Sequence, residues 1–231
     1  MNINDRYKIN MKVNRNIMKK VMILGAGMGQ VPFIQICKKK KAYVIVVGPK
    51  GNYPGFLLAD KVYYYDTRDK EKILEIAQKE KINAILSDQT DVSVPSVAYV
   101  AEKMNLKGIG YENALKFTDK YLMRCAAKEA GINVPEYVEI EKIDNVEEKI
   151  KNLKFPLIMK PTNSSGSRGV YKVDEISTIY EKFEICSSFS TNKKVIIEEF
   201  IVGKEYLVDG IAINNEYRNT DLGIKEYFDK E

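Results

Sequence analysis

The sequence of 231 residues contains no histidine, has only three cysteines, and lacks any long apolar run. Without histidine, imidazole-based triads and metal sites are excluded, so acid–base chemistry falls to carboxylates, lysine or tyrosine. Cys37, Cys125 and Cys186 show no Cys-x-x-Cys spacing, which is typical of reduced cytosolic thiols. No apolar run approaches the ~18 residues that a membrane span needs. We therefore expect a soluble, cytoplasmic protein that has no membrane partner.

The net charge of +5 lies in the first twenty residues. Residues 1–20 contain six basic side chains and one acidic side chain, and the rest of the chain contains 31 of each sign. We predict that residues 1–19 form a flexible basic tail, because isolated charge runs are usually solvated and this one has no apolar segment of a signal peptide. A start of translation at Met11 or Met18 is an alternative. The neutral body argues against nucleic acid as a partner.

Residues 20–115 alternate short apolar runs with amphipathic stretches. This alternation predicts a parallel sheet covered by helices on both faces, which is an α/β fold. In such sheets ligands bind at the carboxyl ends of the strands, where the glycine turn at 25–29 and the polar segment 87–91 are found. The segment 87–91 is either an ordinary turn or faces a substrate. The predicted strands are 20–24, 43–47, 62–65 and 82–86, and the predicted helices are 30–40, 69–81 and 95–104.

From residue 116 onward the pattern changes to strands joined by loops, with helices on one side, which predicts an α+β arrangement. We predict that Thr118 caps a helix over 119–130 and that Gly131 ends it. The fold class predicted for the whole chain is therefore α/β followed by α+β. The further predicted strands are 134–140, 156–160, 170–173, 195–200 and 205–213, and the further predicted helices are 144–153 and 175–187.

The glycine turn departs from the dinucleotide-binding fingerprint. Gly25, Gly27 and Gly29 give the spacing G-x-G-x-G instead of G-x-G-x-x-G, and no acidic residue follows the second strand. A Rossmann protein that binds NAD or a sugar nucleotide is therefore an alternative that the missing acid disfavours. The turn is otherwise a tight strand–helix connection, or its N–H groups face an anionic substrate.

Two lysines stand where a phosphate partner would explain them. Lys120 lies in the first turn of a predicted helix, where the helix dipole disfavours a cation. Lys160 ends an apolar strand directly before Pro161, a place from which it can reach a phosphate. The alternatives are a solvated lysine at position 120 and an edge-strand lysine at position 160.

The segment 162–169, Thr-Asn-Ser-Ser-Gly-Ser-Arg-Gly, is here called the glycine loop. Its backbone N–H groups could wrap phosphates, and Arg168 adds a cation; a plain hairpin turn is an equal alternative. The strand that ends at 198–201 could hydrogen-bond an adenine edge through its backbone, with Phe200 or Ile201 against the ring. Glu205 would then be within reach of a ribose. Surface carboxylates at a strand end are the simpler interpretation.

In their order and spacing, these motifs resemble the ATP-grasp superfamily. They are similar to those of the carbamoyl-phosphate synthase large subunit and related carboxylate–amine ligases, over residues 20–231. The resemblance implies a Rossmann-like pre-ATP-grasp domain at 20–115 and the N-terminal part of an ATP-grasp domain at 116–231. It also implies ATP-binding residues. Lys120 and Lys160 would contact the phosphates, and a lid over them would be formed by Ser165, Gly166, Ser167 and Gly169. The adenine would be met by Glu199, Phe200 and Ile201, and the ribose by Glu205. Arg168, the catalytic candidate, would contact the γ-phosphate or the substrate.

The implied reaction is ligation. ATP phosphorylates a small carboxylate to an acyl phosphate, and an amine or similar nucleophile then displaces the phosphate. Family members hold Mg²⁺ in a second subdomain, whereas only 22 residues follow Asp209 here. We assign no metal ligand in this chain and expect the Mg²⁺ ligands in a C-terminal part, so that the chain alone would be inactive. The alternatives are a non-catalytic nucleotide-binding remnant and half of a split ligase. The expected protein partner is a second copy of the chain, in a homodimer, or a complementing C-terminal half.

Overall fold

The first half of the chain builds a parallel sheet. The computed structural model describes residues 18–214 and 216–226, so all of the predicted basic tail except its last two residues lies outside the described part. The sheet has the strand order β3-β2-β1-β4, and every neighbouring pair is parallel. The predicted α/β arrangement is therefore confirmed. The elements are β1 (Lys20–Leu24), α1 (Val31–Lys39), β2 (Tyr43–Gly48), α2 (Pro54–Leu58), β3 (Lys61–Tyr64), α3 (Lys70–Glu80), β4 (Ala84–Ser87) and α4 (Val94–Lys103).

Both faces of this sheet are buried. Met22 and Leu24 of β1 pack into one cluster with residues of α3 and α4, while Ile23, between them in sequence, packs into a second cluster with Ile34 of α1. Because successive side chains of a strand point to opposite faces, this division follows from the strand's period of two. It also explains why the strands are continuous apolar runs, without alternating polar residues.

Two consecutive helices, α5 (Tyr111–Thr118) and α6 (Lys120–Glu129), lead out of the first sheet. The prediction that Thr118 caps α6 is wrong. Thr118 ends α5, and its hydroxyl donates to the carbonyl of Ala114 at 2.9 Å. The cap is Asp119, whose carboxylate accepts from the N–H groups of Tyr121 at 3.0 Å and Leu122 at 3.1 Å. Gly131 follows α6 with a φ of +74°, in agreement with the predicted helix end.

The second sheet is antiparallel throughout, with the order β5-β8-β6-β7. Helices α7 and α8 cover one face, where Met159 and Ile197 are fully buried. A separate antiparallel pair, β9 and β10, follows, and β10 was not predicted. The α+β part of the fold class is confirmed. The elements are β5 (Tyr137–Ile140), α7 (Val146–Ile150), β6 (Leu157–Pro161), β7 (Tyr171–Val173), α8 (Ile176–Ser188), β8 (Val195–Glu199), β9 (Glu205–Ile213) and β10 (Glu216–Lys225).

Each cluster of buried apolar residues draws on only one of the two four-stranded sheets. This separation agrees with a boundary near residue 115, which stays a prediction. Within the described residues, no helix has both the length and the apolar character needed to cross a membrane.

Candidate functional site

A cleft of about 970 Å³ lies between the two halves of the fold. Residues from the loop before α3, the start of α4, and helices α5 and α6 line it on one side. Strand β6 and the glycine loop line the other side. Seven of the predicted site residues are in its lining: Lys120, Lys160, Ser165, Gly166, Ser167, Arg168 and Glu205. Chain segments far apart in sequence therefore converge on one site.

Lys120 is the first residue of α6 and joins that helix to the glycine loop. Its ammonium group donates to the carbonyl oxygens of Pro161 at 3.1 Å and Ser164 at 2.7 Å. Its backbone N–H donates to the carbonyl of Thr162 at 2.8 Å. Burial, and after it the charge of Lys160, lower the pKa of the Lys120 ammonium. Two cations are thus held close to each other at the base of the loop.

Lys160 projects from the face of the second sheet that is opposite to α7 and α8. Its ammonium group is hydrogen-bonded to the carboxylate of Glu198, which lies on the neighbouring strand β8. Arg124 of α6 holds the same carboxylate through Nε at 2.8 Å and Nη2 at 3.3 Å. Burial raises the pKa of Glu198, yet the hydrogen bonds from Arg124 and Lys160 together outweigh it and hold this pKa below its usual range.

Sequence reasoning missed Arg124, and it placed Glu198 only in the strand-end segment without a role. The period of two along β8 was an available signal, because it sets Glu198 on the face opposite to the buried Ile197. The register between β6 and β8, which pairs Ile158 with Glu198 and so brings Lys160 near, cannot be read from the sequence.

The glycine loop joins the antiparallel strands β6 and β7. It is therefore a hairpin connection, which was one of the two interpretations of its sequence. Three of its residues have left-handed backbones: Gly166 (φ +71°), Ser167 (φ +55°) and Gly169 (φ +72°). A Cβ atom at Gly169 would lie 2.7 Å from the ring of Phe189, so only glycine fits there. Its role as a phosphate lid stays a prediction.

Polar side chains anchor the base of the glycine loop. Asn163 Oδ1 accepts from the backbone N–H of Thr191 at 2.9 Å and from the hydroxyl of Ser190 at 3.0 Å. At the tip, Arg168 Nε donates to the carbonyl of Ser165 at 3.2 Å. The hydroxyl of Ser164 is buried and has no hydrogen-bond partner in the part of the chain that the structure describes. The loop therefore carries a buried polar group that the described residues leave unsatisfied.

The predicted adenine segment lies at the end of β8, outside the residues that line the cleft. The carboxylate of Glu199 accepts from the backbone N–H of Lys154 at 2.9 Å, so its side chain has a structural partner. Phe200 donates its N–H to the carbonyl of Pro156 at 3.0 Å, and the Ile201 side chain is exposed. Glu205 does line the cleft and is bonded to Lys225 at 2.8 Å. The nucleotide roles of these residues stay predictions.

The glycine turn of the first sheet packs against the polar segment 87–91, and both follow the carboxyl ends of strands. The N–H of Gly27 donates to Gln30 Oε1 at 2.8 Å, and Gln30 Nε2 is bonded to the carbonyl of Asp88. A Cβ atom at Gly29 would lie 2.9 Å from Gln89. The side chain of Gln30 thus occupies the backbone N–H of Gly27. This arrangement suits a tight structural connection.

Across residues 18–214 and 216–226, no group of three or more cysteine, aspartate or glutamate side chains is placed to hold a metal ion. The carboxylates that line the cleft are those of Asp91, Asp119 and Glu205, and Asp119 is engaged in capping α6. Mg²⁺ binds through carboxylates together with phosphates and water. The described residues therefore do not form a dedicated magnesium site.

Residues 126–225 match the family model described as D-ala D-ala ligase C-terminus. The formate-dependent phosphoribosylglycinamide formyltransferase of Bacteroides thetaiotaomicron is 27% identical over 189 residues, which cover 80% of this chain and 48% of that protein. The enzyme of the same name from Nitratiruptor sp. is 24% identical over 200 residues, covering 85% and 51%. The chain thus spans about half the length of the curated relatives that it matches.

Solved structures share the fold. The N5-carboxyaminoimidazole synthetase of Staphylococcus aureus in complex with ADP superposes with a TM-score of 0.73 at 19% identity, over 92% of this chain and 56% of that one. The L-amino acid ligase of Bacillus licheniformis gives a TM-score of 0.69 at 19% identity, over 90% and 50%. Phosphoribosylglycinamide synthetase from Anaerococcus prevotii gives 0.66 at 23% identity, over 92% and 53%.

Proposed function

We propose that this chain is a member of the ATP-grasp superfamily and that it binds ATP in the cleft for the ATP-dependent ligation of a small carboxylate to an amine or similar nucleophile. The observation that carries the proposal is the meeting of Lys120 and Lys160 at the base of the glycine loop. These residues come from a helix start and a strand end that are forty positions apart.

The charge balance of the site supports a polyphosphate ligand. The residues that line the cleft include five cations and three carboxylates: Arg68, Lys70, Lys120, Lys160 and Arg168 against Asp91, Asp119 and Glu205. A surplus positive charge in a partly buried place is costly unless an anion accompanies it. Phosphate oxygens accept short, charge-assisted hydrogen bonds from lysine, so ATP would relieve this imbalance.

The proposed reaction transfers the γ-phosphoryl group to a carboxylate oxygen. The acid's oxygen bonds to phosphorus as the bond to ADP breaks, which gives an acyl phosphate. The amine nitrogen then bonds to the acyl carbon, inorganic phosphate leaves, and the nitrogen loses a proton. The relatives' names point to such acids, since one group is formate-dependent. Lys120, Lys160 and the N–H groups of the glycine loop would neutralise and orient the phosphates, which is the main protein contribution in this chemistry.

Magnesium is typical of the superfamily, and when bound it would help to neutralise the charge of the nucleotide phosphates. The described residues do not provide the carboxylate cluster that would hold it. No step of the proposal is therefore assigned to a metal held by this chain.

Calorimetric titration of the full chain with ATP and, separately, with NADH tests the proposal. We expect saturable binding of ATP and none of NADH. Saturable NADH binding without ATP binding would reject it and would favour the dinucleotide alternative based on the turn at Gly25, Gly27 and Gly29.

A further inference from the structure

Behind Lys160 lies an ion pair that does not reach the cleft. Lys160 is among the lining residues, whereas Glu198 and Arg124 are not. Glu198 is only 3% exposed, although its carboxylate is ionised and bonded to both cations. Burying a carboxylate with two cationic partners costs free energy, because each ion loses its hydration. Its position next to Lys160, a residue predicted to bind phosphate, indicates a role in the nucleotide site.

The backbone fixes all three members of this group. Ile158 of β6 pairs with Glu198 of β8, so Glu198 and Lys160 project from the same face of the sheet at diagonal positions. Arg124 lies four residues after Lys120 on α6, and such positions share one helix face. The same face of α6 therefore presents Lys120 to the glycine loop and Arg124 to Glu198.

The contacts with Glu198 and Arg124 restrict the conformations available to the Lys160 side chain. A free lysine side chain has about 2 kcal/mol of rotamer entropy to lose when it is held in one geometry. Glu198 holds the ammonium group of Lys160, and two hydrogen bonds from Arg124 hold Glu198 in turn. The ammonium group has three N–H donors, so bonding to Glu198 leaves donors for a phosphate oxygen.

We propose that Arg124 and Glu198 are positioning residues of the nucleotide site, which hold Lys160 in its phosphate-binding geometry before the nucleotide arrives. The inference rests on the proposed function, since it requires a nucleotide whose phosphates meet Lys160. It adds two residues that touch neither the cleft nor the ligand. Their contribution is to reduce the entropy that Lys160 loses on binding.

A simple charge argument makes the opposite prediction for Glu198. Removing a carboxylate next to a phosphate site would strengthen phosphate binding through the Coulomb term alone. Removing one member of a buried pair also leaves the other unpaired and destabilises the fold. The informative variant is therefore the double substitution Arg124→Met with Glu198→Met. It keeps the net charge, fills the space with apolar side chains and leaves Lys160 in place.

The test is a cycle of ATP affinities measured by calorimetry on four full-length proteins: the wild type, the double variant, Lys160→Met, and the triple variant. We expect the double variant to bind ATP at least fivefold more weakly than the wild type. We also expect Lys160→Met to cost less than twofold when added to the double variant, against tenfold or more in the wild type. Such non-additivity reports coupling between the pair and Lys160.

Two results overturn the inference: unchanged ATP affinity in the double variant, or losses that add independently of Lys160, as general damage to the fold would give. Urea unfolding of each protein identifies a variant that does not fold. In that case Arg124→Lys replaces the double variant, because it keeps the charge and loses the two-point contact. It should weaken ATP binding at least threefold, and unchanged affinity would overturn the inference. Failure of the wild type to bind ATP would instead reject the proposed function.

Discussion

The ammonium group of Lys120 lies 2.7 Å from the carbonyl oxygen of Ser164, so the start of α6 is tied directly to the glycine loop. The ammonium group has three N–H donors. The carbonyls of Pro161 and Ser164 take two of them, so one remains for a phosphate oxygen. A phosphate bound there would be joined through this one side chain to the start of α6 and to the glycine loop. Ser164, whose hydroxyl is buried and unsatisfied among the described residues, is the loop residue at this junction.

The lowered pKa of Lys120 predicts a pH dependence of ATP binding. Burial and the charge of Lys160 favour the neutral amine, so Lys120 loses its proton at lower pH than an ordinary lysine. ATP affinity should therefore fall as the pH rises towards the alkaline range. In Lys120→Arg, which keeps its charge, the fall should be smaller. Titrations of both proteins at several pH values check this, and parallel pH profiles would contradict it.

Gly169 should tolerate substitution far less than Gly166. Both have positive φ, which costs a residue with a Cβ about 1–2 kcal/mol. At Gly169 the new Cβ would also lie 2.7 Å from Phe189. At Gly166 the described residues beyond the two chain neighbours place no atom within 4 Å of it. Gly169→Ala should lower the free energy of unfolding by at least about 1 kcal/mol more than Gly166→Ala. Urea unfolding of the two variants measures the difference, and equal losses would refute the close approach.

Asp119, and not Thr118, should carry the capping energy of α6. The Asp119 carboxylate accepts two backbone N–H groups, whereas the Thr118 hydroxyl bonds back into α5. Asp119→Ala should cost about 1 kcal/mol of unfolding free energy. Thr118→Ala should cost less than about 0.5 kcal/mol, the usual range for a change away from special contacts. The opposite order in chemical denaturation would restore the prediction made from the sequence.

Glu80 should make the stability of the first sheet depend on pH. Hydrogen bonds from Lys61 and Tyr63 lower the pKa of its carboxyl to about 2. Because the pKa is lower in the folded state, the contribution is complete above the unfolded pKa and is lost as the pH falls through the folded one. Glu80→Gln should therefore be less stable than the wild type at neutral pH, with the difference shrinking in acid. A difference that stays constant down to the acid limit of the native state would contradict this.

The sequence predicted the first sheet well, because its strands are buried on both faces and read as continuous apolar runs. The prediction failed where an adjacent helix or strand had not been recognised. Helix α5 was not predicted, and for that reason Thr118 was taken as the cap of α6. Strand β10 was missed as well, since its sequence mixes polar and apolar residues and its side chains are largely exposed.

In the candidate site, Lys120, Lys160 and the residues of the glycine loop could be selected from local patterns. The ion pair of Arg124 with Glu198 could not, because it depends on the register of two strands and on the docking of a helix. Long-range register is set by tertiary packing and leaves only a weak trace in the local sequence.

The central claim is that Lys160 binds a phosphate of ATP in the cleft. It is tested most directly by calorimetric titration of ATP into the wild type, Lys160→Met and Lys149→Met. The last removes the same charge from an exposed position of α7, which packs on the face of the second sheet opposite to Lys160. We predict that Lys160→Met weakens ATP binding tenfold or more, a loss of about 1.4 kcal/mol, while Lys149→Met binds as the wild type does. Equal affinity of the two variants would contradict the claim and remove the nucleotide from this cleft.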